Sequence, residues 1–430
     1  MFYGWKIVGV TFVTHFISVG FIFYSYGVFF KALAADFGGS RLSVALGLTI
    51  MNVVSGILAP FLGRALDHGS VRRIMTLGAV LTSLGFLAVS RIGALWQFYA
   101  LLGSLLAVGS AMMGGLAGST LVARWFVERR GMALGIATMG ISLSGLVMAP
   151  VATALIATIG WRTTFVLYGI ATASLAIPLI WLFVVNRPED LGLEPDGHRQ
   201  GPHPIEAEEP MLPLAPGDQI IDHAAHLEWS ALGALRDPNF WVIAVVIGLN
   251  FTSNGAVLTH IVPHATDIGF QPLEAAFVLS TIAGLGVLGK VLFGWIVDRV
   301  EKRLALWLSM ALQAFGVFLI VGARAYPALL LAGAVFGLGM GGLVPLWGSL
   351  IGAGFCRDAF GRVMGLMSPV MIPVMIPIMS FGIPFAGYVV DRSGSYATAF
   401  NSFVGIYAVA GAVLAFLRLP QVEPGRRGSD

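Results

Sequence analysis

The chain has 430 residues, 57% of them hydrophobic and only 11% charged, with a formal net charge of +3. Soluble globular proteins carry about 25% charged residues, so the composition excludes a soluble enzyme or binding domain and points to a polytopic membrane protein. The single cysteine, Cys356, rules out an internal disulfide framework, and basic loops account for the pI near 9.1 without nucleic acid.

About 20 apolar residues rising ~1.5 Å each span a hydrocarbon core of about 30 Å. Met1 to Lys6 leads into the first such run without a cleavage site, so a retained first helix is expected. Six runs follow one another at about 6–30, 42–62, 74–90, 96–122, 131–159 and 163–185. A second six lie at about 240–264, 275–298, 304–323, 328–354, 363–390 and 397–417. Between the sets, residues crowded with Pro, Gly, Asp, Glu and His have the composition of a poorly ordered linker. The expected organisation is an N-terminal six-helix bundle (1–185), a cytoplasmic linker (186–236), a C-terminal bundle (237–420) and a cytoplasmic tail (421–430). With both termini inside, 18 of the 25 Lys and Arg fall on the inner side, 6 on the outer side and Lys290 in the membrane. That bias obeys the positive-inside rule. The fold class is therefore all-α integral membrane, with twelve transmembrane helices, expected in a bacterial inner (plasma) membrane. The lipid bilayer is its surroundings, and no nucleic-acid partner is expected.

The eighth run, Ala275 to Asp298, carries Lys290 as its only charge before the closing aspartate. A lysine at that depth costs roughly 2.5–3.5 kcal/mol and is tolerated where it faces a wet cavity or a partner. The competing reading is a stem that snorkels toward the helix end, roughly 12 Å away at Asp298. Gly284, Gly286 and Gly289 mimic a dinucleotide fingerprint, and Gly284 to Lys290 mimics a phosphate loop. Both motifs need glycines at a helix start, with backbone N–H groups free for phosphate. Here they sit inside a span, and Val291 stands where Ser or Thr would hold magnesium. No cofactor is expected; small residues for close helix approach explain the glycines.

The two halves repeat. Gly63-x-x-x-Asp67 with Arg72 and Arg73 follows the second run, and Gly294-x-x-x-Asp298 with Arg299 follows the eighth, the glycines 231 residues apart. Gly160-Trp-Arg-Thr-Thr-Phe165 and Gly394-Ser-Tyr-Ala-Thr-Ala-Phe400 precede runs six and twelve. Duplicated six-helix units are a transporter architecture with substrate held between the halves. The loop Gly63-x-x-x-Asp67-x-Gly69-x-x-Arg72-Arg73 resembles the signature of the major facilitator superfamily. Tyr3-Gly4-Trp5, the segment Trp125 to Gly135 with Arg129 and Arg130, Arg187 to Leu193 and Asp391 to Tyr396 resemble the monocarboxylate transporter family and its oxalate–formate antiporter relatives. The resemblance implies a secondary carrier of small organic monoanions, with a basic residue in helix 8 that pairs with the substrate carboxylate. Lys290 occupies that place, four residues before Gly294. Family members more often have arginine there, and lysine lacks its planar two-pronged fit. Some members have an acidic residue where this chain has Gly286, and some a lysine near Tyr24. The oxalate carriers have a second cation in helix 11, which this chain lacks. One membrane cation suits a substrate with one carboxylate. The resemblance also implies a gate in which Asp67 pairs with arginines and backbone donors of the neighbouring bundle.

No carboxylate lies deep in a run, so histidine and Lys290 are the candidates for carrying a proton. His15 is mid-helix 1, as readily a buried structural residue as a cavity-lining one. His260 and His264 sit one turn apart beside Asp267, which suggests a solvated rim; no third metal ligand accompanies them. Asn250 and Asn254 can orient a substrate or bond between helices, and Tyr24 can line a pocket or join the aromatic belt. Pro369, Pro373, Pro377 and Pro384 predict a bent or broken helix 11. Glycines of helices 4 and 10 suit sliding contacts between halves. Efflux of larger amphipathic compounds and organic-anion exchange are the alternatives within transport. A sensor would need a domain in the linker, and an intramembrane enzyme a nucleophile or metal set; neither is evident. Lys290 with two asparagines points to a small anion, with a proton as its companion.

Overall fold

The computed structural model describes residues 2–127, 129–197, 236–297, 299–354 and 360–418, and these contain helices but no strand. Asp298, Cys356, residues 198–235 of the linker and the 421–430 tail lie outside the described residues. So do the side chains of Asp67, Arg130, Pro369 and Pro373. The helices are α1 (Gly4–Phe37), α2 (Arg41–His68), α3 (Val71–Val89) and α4 (Leu95–Trp125). A 52-residue apolar stretch, Met132–Phe183, folds back at Gly160 to give α5 (130–159) and α6 (161–183). Then come α7 (Pro238–Asp267), α8 (Pro272–Val297) and α9 (Lys302–Gly322). α10 runs over Tyr326–Gly341 and Leu343–Gly354, followed by α11 (Phe360–Ser393) and α12 (Tyr396–Leu414). Ten stretches among the described residues are long and apolar enough to cross a membrane. The double-length stretch and α11 bring the arrangement to the twelve spans expected.

Local chemistry sets the turns. Ser40, Ser70, Asp237 and Ser395 cap the first turns of α2, α3, α7 and α12 with side-chain oxygens. Gly160 and Gly394 take φ of 78° and 69° at the α5–α6 and α11–α12 bends, a conformation that costs other residues about 1–2 kcal/mol. Gly38 and Gly269, at φ of 59° and 104°, do the same after α1 and α7. They too are 231 residues apart, a further copy of the internal repeat.

Two expectations about helix ends change. The segment from Gly63 to Asp67 is helical and not a loop, because a lone glycine among helix formers does not end a helix. The break comes only at Gly69-Ser70, where Ser70 starts α3. α11 runs unbroken from Phe360 to Ser393 in spite of its prolines. Neighbouring helices re-satisfy freed backbone groups in such spans.

Buried side chains form two clusters. One gathers residues between Ile7 and Val184 with Ile383, and the other residues between Phe240 and Leu417 with Ala149. Large apolar side chains such as Leu84, Leu182, Phe318 and Leu331 cover the exposed flanks, as a bilayer-facing surface requires. Lipid tails provide no hydrophobic drive between helices, so close packing must hold them together. A Cβ on Gly341 would lie 2.7 Å from the Lys290 backbone nitrogen, so α8 and α10 meet backbone to backbone. The glycines of α4 and α10 therefore pack inside a half and do not slide between halves. Gly118 lies against Thr11 and His15 of α1, and Gly339 against Ser309 and Gln313 of α9.

Candidate functional site

A cavity of about 610 Å³ lies at the centre of the bundle, walled by α1, α2 and α5 on one side and α7, α8, α10 and α11 on the other. Lys290 projects into it from α8, and its Nζ donates to Ser142 Oγ of α5 at 2.5 Å. The stem does not run toward the helix end, so the snorkelling reading is replaced by a half-buried ammonium in a cavity. Among the described residues no carboxylate lies within ion-pair distance of it. An ammonium taken out of water without a counter-charge is costly, and one neutral hydroxyl offsets only part of that cost. An anionic group entering the cavity would meet there an ammonium that has no carboxylate partner among the described residues.

Asn254 and Tyr24 share the cavity. Asn254 Nδ2 donates to Asn250 Oδ1 at 2.9 Å, so Asn250 stands behind the wall and orients its neighbour. Asn254 Oδ1, Asn250 Nδ2 and Trp347 Nε1 are buried without a hydrogen-bond partner among the described residues. Tyr24 is delivered by a π turn over Gly20–Tyr24 in α1, closed by Ser25 Oγ donating to the Gly20 carbonyl at 2.9 Å and braced by Tyr168 of α6. Such single-turn bulges recur at functional sites. A Cβ on Gly145 would lie 2.6 Å from both the Tyr24 ring and Ala283, so that glycine lets α5 approach α1 and α8 together. His15 does not line the cavity. It is fully buried between α1, α4 and α5, with Nδ1 on the Ala137 carbonyl at 3.2 Å.

Above the cavity, at the end predicted to face outward, the halves are joined in two layers. The lower layer is Phe30, His260 and Tyr396. His260 Nε2 contacts the Ile383 carbonyl at 3.0 Å and Nδ1 the Tyr396 hydroxyl at 3.3 Å, while the Phe30 ring lies 5.2 Å from the imidazole. His260 and His264 are thus buried, not a solvated rim, because the opposite half and α12 cover them. The upper layer is charged. Asp267 at the end of α7 accepts from Lys31 at 2.7 Å and from Arg41 at 2.6 Å. Arg41 also donates to the Tyr396 hydroxyl at 2.7 Å. Both oxygens of Asp391 accept the first backbone N–H groups of α2, those of Arg41 and Leu42, at 2.9 Å each. A carboxylate from one half therefore caps a helix of the other.

The signature residues lie at the opposite end. The Arg72 guanidinium stacks 4.5 Å from the Trp181 ring and donates to the Trp181 carbonyl. Arg299 stacks 4.3 Å from Trp295 and donates to its carbonyl. Both contacts stay within the residue's own half. The Arg129 backbone N–H reaches Asp196 at 3.3 Å, and Arg73 N the Ser70 hydroxyl at 3.4 Å. Gly63 and Gly294 face open space: among the described residues, no atom beyond their own turns of helix lies within 4 Å of where a Cβ would sit.

The family model of the Major Facilitator Superfamily matches residues 11–379. Monocarboxylate transporter 13 of Bos taurus is 29% identical over 420 residues, covering 95% of this chain and 88% of that protein. Monocarboxylate transporter 11 of Homo sapiens is 28% identical over 438 residues, covering 98% and 84%. An inward-facing, occupied bacterial homolog of the human lysosomal transporter Spinster superposes with a TM-score of 0.68 at 12% identity, covering 96% of each chain. At that identity the likeness concerns the fold alone. Twelve spans around a central cavity and a family match over most of the chain agree: the chain is a transporter of the Major Facilitator Superfamily, not an enzyme.

Proposed function

We propose that the protein is a secondary carrier of organic monocarboxylates, with Lys290 as the residue that receives the carboxylate and Asn250, Asn254 and Tyr24 around it. The observation that carries this reading is the cavity ammonium, held among the described residues by the neutral Ser142 hydroxyl alone. The monocarboxylate transporters among its relatives support it. The chain works as two bundles, 1–185 and 237–420, rocking about the cavity by alternating access. It sits in a bacterial inner membrane with cytoplasmic termini. On this reading the two closed layers above the cavity support an inward-facing state. The gate of the opposite state is formed by Gly63, Asp67, Arg72, Arg73, Arg129, Arg130, Gly294, Asp298 and Arg299, and the open space at Gly63 and Gly294 is where the other half closes. Proton symport is the companion process, with substrate and proton binding at Lys290 in mutual support. The position of His15 away from the cavity favours Lys290 as the proton carrier.

The test is carboxylate uptake by the purified protein in vesicles with and without an imposed pH gradient. Lys290→Ala should abolish uptake with thermal stability kept, and Lys290→Arg should retain part of it. Near-normal uptake by Lys290→Ala overturns the site. Uptake indifferent to the gradient removes the proton, and pH dependence lost only in His15→Ala moves it to α1.

A further inference from the structure

The cavity has two seams where the halves meet, and their chemistry differs. On one, α5 meets α8, and Lys290 and Ser142 occupy it. On the other, α2 packs along α11. Asp391 holds the first backbone N–H groups of α2, and Gly56 lies against the Ile376 side chain, so these two helices run antiparallel in a fixed register. Asn52 lies eleven residues into α2 from Arg41, and Ser380 lies eleven residues back along α11 from Asp391. The pair is therefore level across the seam, one turn above the Gly56–Ile376 contact, and both residues line the cavity. The Asn52 amide and Ser380 Oγ have no hydrogen-bond partner among the described residues. Unlike Asn254 Oδ1 and Trp347 Nε1, which are sealed in the wall, they stay open to the cavity. Ser55 lines the same seam but returns its hydroxyl to the Ala107 carbonyl at 3.5 Å.

Depth separates the two polar places. Counted from the outer ends, Lys290 is eighteen residues into α8 and Asn52 eleven into α2, which sets Lys290 roughly 10 Å deeper at 1.5 Å per residue. A three-carbon acid, with two C–C bonds of about 1.5 Å, cannot reach both. The cavity, at about 610 Å³, falls in the range of about 300–1,000 Å³ that encloses far larger ligands. Its wall also holds Leu48, Phe251, Met340, Met375, Met379 and Ile383, and methionines adapt to irregular apolar shapes.

We infer that the transported monocarboxylate is an elongated molecule with two polar ends joined by an apolar stretch. Its carboxylate sits on Lys290 at the α5–α8 seam. Its far end is a neutral group of the carboxamide kind, read by Asn52 and Ser380 at the α2–α11 seam. An asparagine amide offers one acceptor and two donors, and a serine hydroxyl one of each kind, so a group that both donates and accepts satisfies them. Lys290 is the single charged residue among the described residues lining the cavity, so a second carboxylate at the far seam would stand without a counter-charge, which is costly. Each pole draws one residue from each half, so the bound molecule ties the bundles together at both seams. This extends the small anion expected from Lys290 and the two asparagines to a longer one, and it rests on the monocarboxylate reading above. Asn52 is then a specificity-determining residue with no part in charge recognition.

The experiment is equilibrium binding to the purified full chain in detergent, followed by uptake in vesicles. The probes are lactate, octanoate, octanedioic acid monoamide, octanedioate and octanamide, the eight-carbon chain extending about 9 Å. The monoamide should bind at least about a hundredfold more tightly than lactate, since each buried methylene strengthens binding about fourfold. It should exceed octanoate by about three- to tenfold, and octanedioate should bind more weakly than either. Asn52→Leu keeps the volume and removes the amide, so it should reverse the preference for the monoamide and leave octanoate unweakened. Ser380→Ala should lose part of that preference. Lactate, octanoate or octanedioate binding as tightly as the monoamide overturns the two-ended substrate while leaving the carboxylate site intact. A preference for the monoamide that survives Asn52→Leu overturns the role of Asn52. If octanamide binds as well as octanoate, the carboxylate reading itself falls.

Discussion

Asp36 and Asp267 occupy the same place in the two copies of the repeat, 231 residues apart and two residues before the positive-φ glycines Gly38 and Gly269. Their partners differ. Asp36 is neutralised within its own half, accepting from Arg162 at 2.5 Å and from the Trp161 indole at 2.9 Å. Arg162 stands two residues after Gly160; the position two residues after the matching Gly394 is Tyr396, which has no charge to offer. Asp267 therefore turns to the other half and takes Lys31 and Arg41. With an internal arginine the aspartate staples its own bundle, and without one it bridges two bundles. The strength of the closure thus depends on a handful of named side chains.

Removing the bridge should have the largest effect. Arg41→Ala loses the Asp267 pair, the Tyr396 bond and the stacking on its ring. Partly exposed ion pairs contribute about 0.2–1 kcal/mol each, and the combined loss should shift the population toward the outward-open state by about tenfold. Reactivity of a cysteine placed at Thr259, under the closure, would report it from outside; unchanged labelling would break the comparison. Asp391→Asn should act more weakly. It removes the charge at the α2 N-terminus, worth about 0.3–1 kcal/mol, and replaces one of the two accepting oxygens with an amide NH2 that cannot accept a backbone N–H, so labelling should rise by about two- to fivefold. Asp36→Asn should leave labelling unchanged and lower thermal stability by a degree or two on the order of its exposed pair. A labelling increase equal to that of Arg41→Ala would show that the two aspartates are not divided in this way.

Much of the fold was legible because a membrane span leaves a local signature of length and hydropathy, and the repeat could be read by matching Gly63 with Gly294. Lys290 stood out because a charge inside an apolar run has few explanations, and it does line the cavity. Asn254 and Tyr24 join it there. The closure was not legible. Lys31, Arg41, Asp267 and Asp391 look like ordinary loop charges, and pairing over separations of 226 to 350 residues leaves no trace in any window of sequence. The same blindness placed His260 and His264 on a wet rim, since only the opposite half and α12 bury them. The π turn that delivers Tyr24 depends on Ser25 and Tyr168 meeting across 143 residues. Trp347 could have been noticed as a tryptophan within a span, but its missing partner is visible only in three dimensions.

The cap that Asp391 places on α2 has an electrical consequence when the halves part. The N-terminal half would then carry Lys31, Arg41 and two bare N–H groups at a helix start, while Asp267 and Asp391 depart with the other half. The mouth becomes lopsided, with a cationic lip facing an anionic one. Helix starts of this kind attract carboxylates, and fields of a few charges speed the capture of oppositely charged solutes in a way that salt suppresses. Anions arriving from outside would be drawn in along one wall only, the wall of α1 and α2 that leads down to Asn52 and Tyr24. Anions entering from the other side would meet a different field, that of the signature arginines Arg72, Arg73, Arg129 and Arg299. Influx should therefore slow with rising ionic strength, and the share of that response that belongs to the lip is the share lost in Lys31→Ala.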